Sequence, residues 1–104
     1  MSKTKQELYN ERREAQLKEW QAKVEEIKAR AERAKIETQL GVKGLLEDLE
    51  SRRSDLEERV GKLQESTEDG WGSVKRGVRR ASRQIDRAFR KAVSGLKKAE
   101  KRAT

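Results

Sequence analysis

The sequence predicts an all-α protein of non-globular shape, in which a long helix and a shorter basic helix form a helical hairpin or coiled coil. Charged residues make up 44% of the 104 residues and hydrophobic residues 32%, against about 25% and 45–50% in ordinary globular domains. The apolar residues recur at steps of three and four, which is the spacing of one helix face, and strand-like alternation is absent. Proline is also absent and aromatic residues make up only 4%, which argues against proline-rich disorder and β-sandwiches.

The composition excludes several kinds of functional site. The chain contains no cysteine and no histidine, so it offers no disulfide, no thiol nucleophile and no zinc site with soft ligands. A serine nucleophile would have no general base. We therefore expect a non-enzymatic protein with no catalytic residues, no cofactor, no metal and no small-molecule substrate.

The expected location is the cytoplasm, with a peripheral position at a membrane as the alternative. Residues 1–5 lead into charged sequence and not into the apolar region of an export signal. No apolar run approaches the roughly 18–20 residues that a membrane span requires.

The first predicted element is a long amphipathic coiled-coil helix over residues 1–65. Its apolar residues begin with the heptad spacing of coiled coils and later include extra steps of four, which relax the supercoil. Thr4 and Glu7 can form a capping box at its start. Gly41 and Gly44 mark a weaker candidate break, which we interpret as a tolerated flaw or bend.

A turn is predicted over residues 66–72, followed by a basic amphipathic helix over residues 73–104. Ser66 and Asp69 resemble a capping box, and the Asp-Gly pair and neighbouring glycines are typical of turns. One alternative is a single continuous helix of about 150 Å, at about 1.5 Å per residue. Disorder of the isolated chain is another alternative, because the composition is polar.

The charges are segregated along the chain in a way that predicts helix pairing. Residues 1–35 carry 10 basic and 7 acidic side chains, residues 36–70 carry 5 and 10, and residues 71–104 carry 12 and 2. A turn near residue 66 would place the basic helix antiparallel on the acidic middle segment, with opposite charges flanking a shared seam. The first 35 residues would then lack a partner within the chain, which predicts self-association as a dimer or higher oligomer.

We assign the apolar positions of both helices to one helix-association seam. The seam consists of Leu17, Trp20, Val24, Ile27, Leu45, Leu49, Leu56, Val60, Leu63, Trp71, Val74, Val78, Ile85, Phe89 and Leu96.

The opposite side of the last helix forms a candidate surface for an anionic partner, here called the basic face. It consists of Arg76, Arg79, Arg80, Arg83, Arg87, Arg90, Lys91, Lys97 and Lys98. Such a helix can lie on an anionic bilayer, bind nucleic-acid phosphates or pack against an acidic helical protein. It can also be a solvated face that balances the acidic middle segment. Aromatic residues do not interleave with these cations as base-stacking platforms would, and small residues such as Gly77 and Gly95 recur along one edge of the helix.

A resemblance to a known family covers most of the chain, and its second half best. It is carried by Ser66-Thr67-Glu68-Asp69-Gly70-Trp71, Val74-Lys75, Gly77-Val78, Ala81, Ile85 and Ala88-Phe89, and by Trp20 in the first helix. These residues resemble small bacterial coiled-coil proteins of the stress-response type. The resemblance implies an apolipoprotein-like helical coiled coil that oligomerises, with no catalytic residues to transfer. The second helix of that family is usually rich in Glu and Asp, whereas Arg and Lys dominate here, which favours an anionic partner for this chain.

Two functions are consistent with these observations. The leading hypothesis is a structural or adaptor coiled-coil protein that acts by helix–helix association and self-oligomerisation. The alternative is a peripheral protein that binds an anionic membrane surface or nucleic acid weakly through its basic C-terminal helix. The two hypotheses predict different responses to salt, because added salt weakens phosphate and headgroup contacts more than apolar burial.

Overall fold

The computed structural model describes residues 3–103 and is all-helical over that range. Helix α1 spans Lys5–Arg33, α2 spans Leu40–Glu65 and α3 spans Glu68–Ala103, and the three helices pack against one another. The outermost positions of the predicted segments 1–65 and 73–104, residues 1, 2 and 104, lie outside the described residues. The all-α prediction is confirmed, with three helices in place of two.

Thr4 caps the start of α1, as the sequence predicted. The Thr4 backbone is extended, and its Oγ1 accepts a hydrogen bond from the Glu7 N–H at 3.1 Å. This bond satisfies one of the amide groups that have no carbonyl partner in the first turn of a helix.

The prediction of one uninterrupted helix over residues 1–65 is wrong, because the chain turns at residues 34–39. Lys35 has a positive φ of 58°. The Ile36 N–H bonds to the Ala31 carbonyl at 3.1 Å and the Lys35 N–H bonds to the Glu32 carbonyl at 3.0 Å. These two bonds form a Schellman motif, which ends a helix by satisfying its last carbonyls. The turn also brings Ile36 into the core with no exposed surface, and this burial stabilises the break.

The second turn is shorter than the predicted segment 66–72 and contains only residues 66–67. The Ser66 hydroxyl does not cap α3 but donates to the Leu63 carbonyl at 2.9 Å. The Trp71 N–H bonds to the Thr67 carbonyl at 2.9 Å, so the helix has already begun at that point. Two acidic residues in the first turn of α3 stabilise this start through the helix dipole, even though glycines follow them.

Helix α2 lies between the other two helices and runs antiparallel to α1. The Asn10 side-chain amide near the start of α1 donates to the Leu63 carbonyl near the end of α2, at 3.4 Å. Toward the other end, Lys28 Nζ lies 2.7 Å from Glu50 Oε2.

Helix α3 also runs antiparallel to α2 and extends along the whole molecule. Arg52 donates to the side-chain oxygen of Gln84 at 3.4 Å, and Leu45 of α2 lies over Gly95 of α3. The molecule measures 56 × 24 × 16 Å, and its longest dimension matches about 54 Å for 36 helical residues at about 1.5 Å each. The protein is therefore an elongated three-helix assembly.

One continuous core runs through all three helices, and it includes residues of α1 that were expected to lack a partner. Trp20, Val24, Ile27 and Ala31 are all buried in it. The expectation that the first 35 residues have no partner within the chain is therefore wrong. Three amphipathic helices that each contribute one apolar stripe enclose this core even at 32% hydrophobic residues.

Candidate functional site

Helix α3 carries the basic face on the side opposite its buried residues. All nine cations of the basic face are exposed, whereas Val78, Ile85 and Leu96 have no exposed surface. At about 100° per residue, the nine cations occupy an arc of about 120° centred opposite the buried residues. From Arg76 to Lys98 the face is about 33 Å long, at about 1.5 Å per residue.

Five of the seven acidic residues of α2 form ion pairs with α1 or within α2, and none pairs with the basic face among the described residues. Asp55 lies 3.2 Å from Arg59 and Glu58 lies 3.5 Å from Lys62, both within α2. Glu50 pairs with Lys28 of α1. The sequence predicts that cations of α3 lie opposite the acids of α2 along their shared seam. The basic face does not provide these cations.

The Glu50 carboxylate is an example of an α2 acid that is already paired with cations of α1 and α2. It accepts hydrogen bonds from Lys28 and Arg53, which hold the pKa of Glu50 below its ordinary value of 4.5. Arg53 also reaches Glu57 at 2.8 Å, and these contacts raise the pKa of the Arg53 guanidinium. These charges are therefore compensated within the α1–α2 side of the molecule.

Within residues 3–103, a single member of the basic face forms an ion pair. Arg90 lies 2.9 Å from Asp86, one turn earlier on the same helix. The other eight cations have no counter-ion among the described residues. The face is thus a concentrated positive charge on a rigid helix.

The structure brings all fifteen residues of the predicted seam into the core of one chain. Ten of them are buried, and five are half-buried and pack against the core: Leu17, Leu45, Trp71, Val74 and Phe89. The seam therefore joins α1, α2 and α3 of the same chain.

The small residues along one edge of α3 allow a neighbouring helix to approach closely, and α2 is the helix that does so. A Cβ atom at Gly77 would lie 2.8 Å from the Arg59 guanidinium, and one at Gly95 would collide with the Leu45 side chain. The flexible Arg59 side chain can move aside at Gly77, whereas a larger residue at Gly95 would displace Leu45, which packs against the core.

Sequence reasoning missed a cluster of aromatic and basic side chains between the first turns of α1 and α3. The rings of Tyr9 and Trp71 meet edge to face, with centroids 5.4 Å apart. Lys75 Nζ lies 4.7 Å from the Tyr9 centroid and 4.8 Å from the Trp71 centroid. The Trp71 indole N–H donates to Asn10 Oδ1 at 3.2 Å. The only local signal was the spacing of Trp71 and Lys75 on one side of a helix, so the interleaving of aromatic and basic groups arises only in three dimensions.

Other kinds of site find little support in the part of the chain that is described. Residues 3–103 contain no group of three or more acidic, histidine or cysteine side chains that could hold a metal ion. None of the described helices has an apolar stretch long enough to cross a bilayer.

Comparisons with protein-family models, with curated proteins and with solved structures gave no match. The resemblance to stress-response coiled-coil proteins therefore stays a prediction from the residues that carry it.

Proposed function

We propose that this protein is a non-enzymatic nucleic-acid-binding protein whose basic face contacts the phosphates of a duplex. The observation that carries the proposal is that eight of the nine cations of the basic face, all of them exposed, have no counter-ion within residues 3–103. A polyanion that replaces the solvent at such a face releases its own condensed counterions, which favours binding.

The dimensions and chemistry of the face suit a duplex. Its length of about 33 Å is close to one turn of duplex, about 34–36 Å. In this proposal α2 and α3 act as an antiparallel coiled-coil hairpin that keeps α3 straight along that length. Six of the nine cations are arginines, and an arginine guanidinium can bind a phosphate through two parallel hydrogen bonds. The face contains no aromatic residue on which a base could stack. In this proposal its contacts are with the sugar–phosphate backbone of the duplex, which carries little sequence preference.

The burial of the apolar side of α3 favours nucleic acid over a membrane. Amphipathic helices bind bilayers by burying their apolar face in the headgroup region. In this chain Val78, Ile85 and Leu96 are fully buried against the other helices, so membrane insertion of α3 would require the assembly to open. Self-association through the seam, the leading hypothesis from the sequence, would also require the three helices to separate.

The direct test compares two variants of equal net charge for binding to a fluorescently labelled duplex of 20 base pairs. The first replaces four residues of the basic face with glutamine: Arg79, Arg83, Arg87 and Arg90. The matched control replaces four exposed cations elsewhere: Lys18, Arg33, Lys43 and Lys62. Circular dichroism of both variants establishes that they are folded.

We expect the basic-face variant to bind the duplex at least 100-fold more weakly than the parent protein, and the control variant to bind within about 5-fold of it. Equal weakening of both variants would mean that net charge alone drives binding, and would contradict the proposal. Binding to vesicles rich in anionic lipid but not to the duplex would overturn it in favour of a membrane surface.

A further inference from the structure

A cavity of about 360 Å³ opens beside the aromatic cluster, between the first turns of α1 and α3. It is lined by Lys5, Leu8, Tyr9, Arg12, Trp71 and Lys75. Its volume falls in the range of small-ligand sites. Leu8 is 42% exposed, although it is a large hydrophobic residue, so part of the wall is apolar and accessible.

All the charged residues that line this cavity are cations. Lys5, Arg12 and Lys75 form no ion pair within residues 3–103. The neighbouring acid Glu11 is engaged with Lys3. The cavity therefore attracts an anionic group, and an anion bound there would meet three side chains that can donate to it.

The aromatic wall adds a second requirement on the ligand. Lys75 lies over the rings of both Tyr9 and Trp71. If the Lys75 side chain turns toward a bound anion, the Trp71 ring surface that it covers becomes accessible, whereas Arg13 also lies over the Tyr9 ring, at 4.8 Å. Stacking of a base on an aromatic ring contributes more binding free energy than an exposed cation–π contact. Replacing the contact of Lys75 with a stacked base is therefore favourable.

We infer that this cavity binds a nucleotide, with its base against the Tyr9–Trp71 cluster and its phosphate held by Lys5, Arg12 and Lys75. The nucleotide can be free, or it can be the unpaired end of a strand. The second source connects with the proposed function, because Lys75 directly precedes Arg76, the first residue of the basic face. The inference itself needs no duplex and does not depend on that function.

Calorimetric titration of the full chain with adenosine monophosphate, adenosine and inorganic phosphate tests this inference. We expect the monophosphate to bind at least 10-fold more tightly than either adenosine or phosphate. Tryptophan fluorescence should fall on binding, and this change should disappear in Trp71→Phe, which retains Trp20. Absence of binding at millimolar monophosphate, or equal binding of phosphate alone, would overturn the inference.

Variants separate this site from the basic face. Arg12 is not part of the Tyr9–Trp71 edge-to-face pair, so Arg12→Gln leaves both rings in place. This variant should bind the monophosphate about 10-fold more weakly, while its binding to the duplex stays within about 2-fold of the parent. The control Arg83→Gln should leave monophosphate binding unchanged. If Arg12→Gln has no effect on the monophosphate, the cavity is not its site, whatever the duplex experiment shows.

The source of the nucleotide is identified by competition. A blunt duplex and a duplex with a single unpaired 3′ nucleotide are compared as competitors for the bound monophosphate. Displacement by the second duplex alone assigns the cavity to strand ends, and displacement by neither assigns it to free nucleotide. Equal displacement by both duplexes would mean that phosphate contacts suffice, which contradicts a site for a base.

Discussion

Trp20 of α1 packs edge to face against Phe89 of α3, with ring centroids 5.4 Å apart and ring planes inclined by 73°. Lys23 covers this pair, with its Nζ 4.6 Å from the Trp20 centroid. The contact joins the two helices that flank α2 and places the only tryptophan of α1 inside the core of its own chain. The buried apolar residues of α1 therefore have partners within their own chain, whereas Leu8 of the same helix is 42% exposed.

This contact predicts how the fold responds to the loss of one ring. Trp20→Ala should lower the free energy of unfolding by about 3–5 kcal/mol, because it removes a large buried side chain and leaves a cavity. Urea denaturation followed by circular dichroism measures the change.

The thermal midpoint of the parent protein should be the same at low and high protein concentration, since no second copy completes the core. A midpoint that rises with concentration would contradict this account and restore self-association.

Lys35 predicts a stabilising substitution at the first turn. Its φ of 58° is a left-handed conformation that costs a residue with a side chain about 1–2 kcal/mol and costs glycine almost nothing. Lys35→Gly should therefore raise the free energy of unfolding by about 1 kcal/mol, and Lys35→Val should lower it. Thermal melts of the two variants give opposite shifts if the turn ends α1 as described. Equal shifts of the same sign would contradict the Schellman motif.

Two glycines of different surroundings predict opposite effects of added side chains. A Cβ atom at Gly61 would meet nothing within 4 Å, so Gly61→Ala should stabilise α2 by about 0.5–1 kcal/mol through helix propensity. At Gly95 the Leu45 side chain occupies the space, and Gly95→Val should destabilise the protein by about 1–3 kcal/mol through overpacking. Thermal melts distinguish the two. A stabilising Gly95→Val would mean that α2 and α3 are not closely packed at this point.

The helices and their apolar faces could be predicted from the sequence because helical periodicity is a local property. Val24, Leu56 and Ile85 were assigned to the seam from spacing alone, and each is buried. The direction of α3 along α2 also followed from one turn near residue 66. The spacing does not say, however, whether the partner of a seam lies in the same chain, so it does not identify the partner of α1.

The first turn and the aromatic cluster could not be predicted because both depend on distant contacts. Lys35 carries no glycine-like signal, and the turn there is favoured by burial of Ile36 in a core built from all three helices. The meeting of Tyr9 with Trp71 requires α1 and α3 to run in the same direction, which follows only from the turn at residues 34–39. The turn at residues 34–39 is therefore the feature that sequence reasoning lacked, and the aromatic cluster could not be predicted without it.

The Glu50 carboxylate predicts a dependence of stability on pH. Hydrogen bonds from Lys28 and Arg53 lower its pKa below 4.5 in the folded protein. The stabilisation is therefore present at pH values above the unfolded pKa and is lost as the pH falls through the lower folded value. Because about a third of the side chain is exposed, the contribution is small, at most about 1 kcal/mol.

Glu50→Gln isolates this contribution. At pH 7 the variant should be less stable than the parent by that small amount, and the difference should disappear below the folded pKa of Glu50. Urea denaturation at several pH values between 3 and 7 measures it. The control Glu47→Gln removes a negative charge from the same helix but keeps the contacts of Glu50, and it should retain their stabilisation at pH 7. Parallel pH profiles for the parent and Glu50→Gln would contradict the contacts at Glu50.

The salt dependence of duplex binding shows directly whether the basic face contacts phosphates. If six to nine cations of the basic face contact phosphates, the logarithm of the binding constant should fall linearly with the logarithm of salt concentration, with a slope of about −5 to −8. Replacement of Arg79, Arg83, Arg87 and Arg90 by glutamine should make that slope shallower by about 3–4. A slope near zero, or one that these four substitutions leave unchanged, would contradict phosphate binding by the basic face.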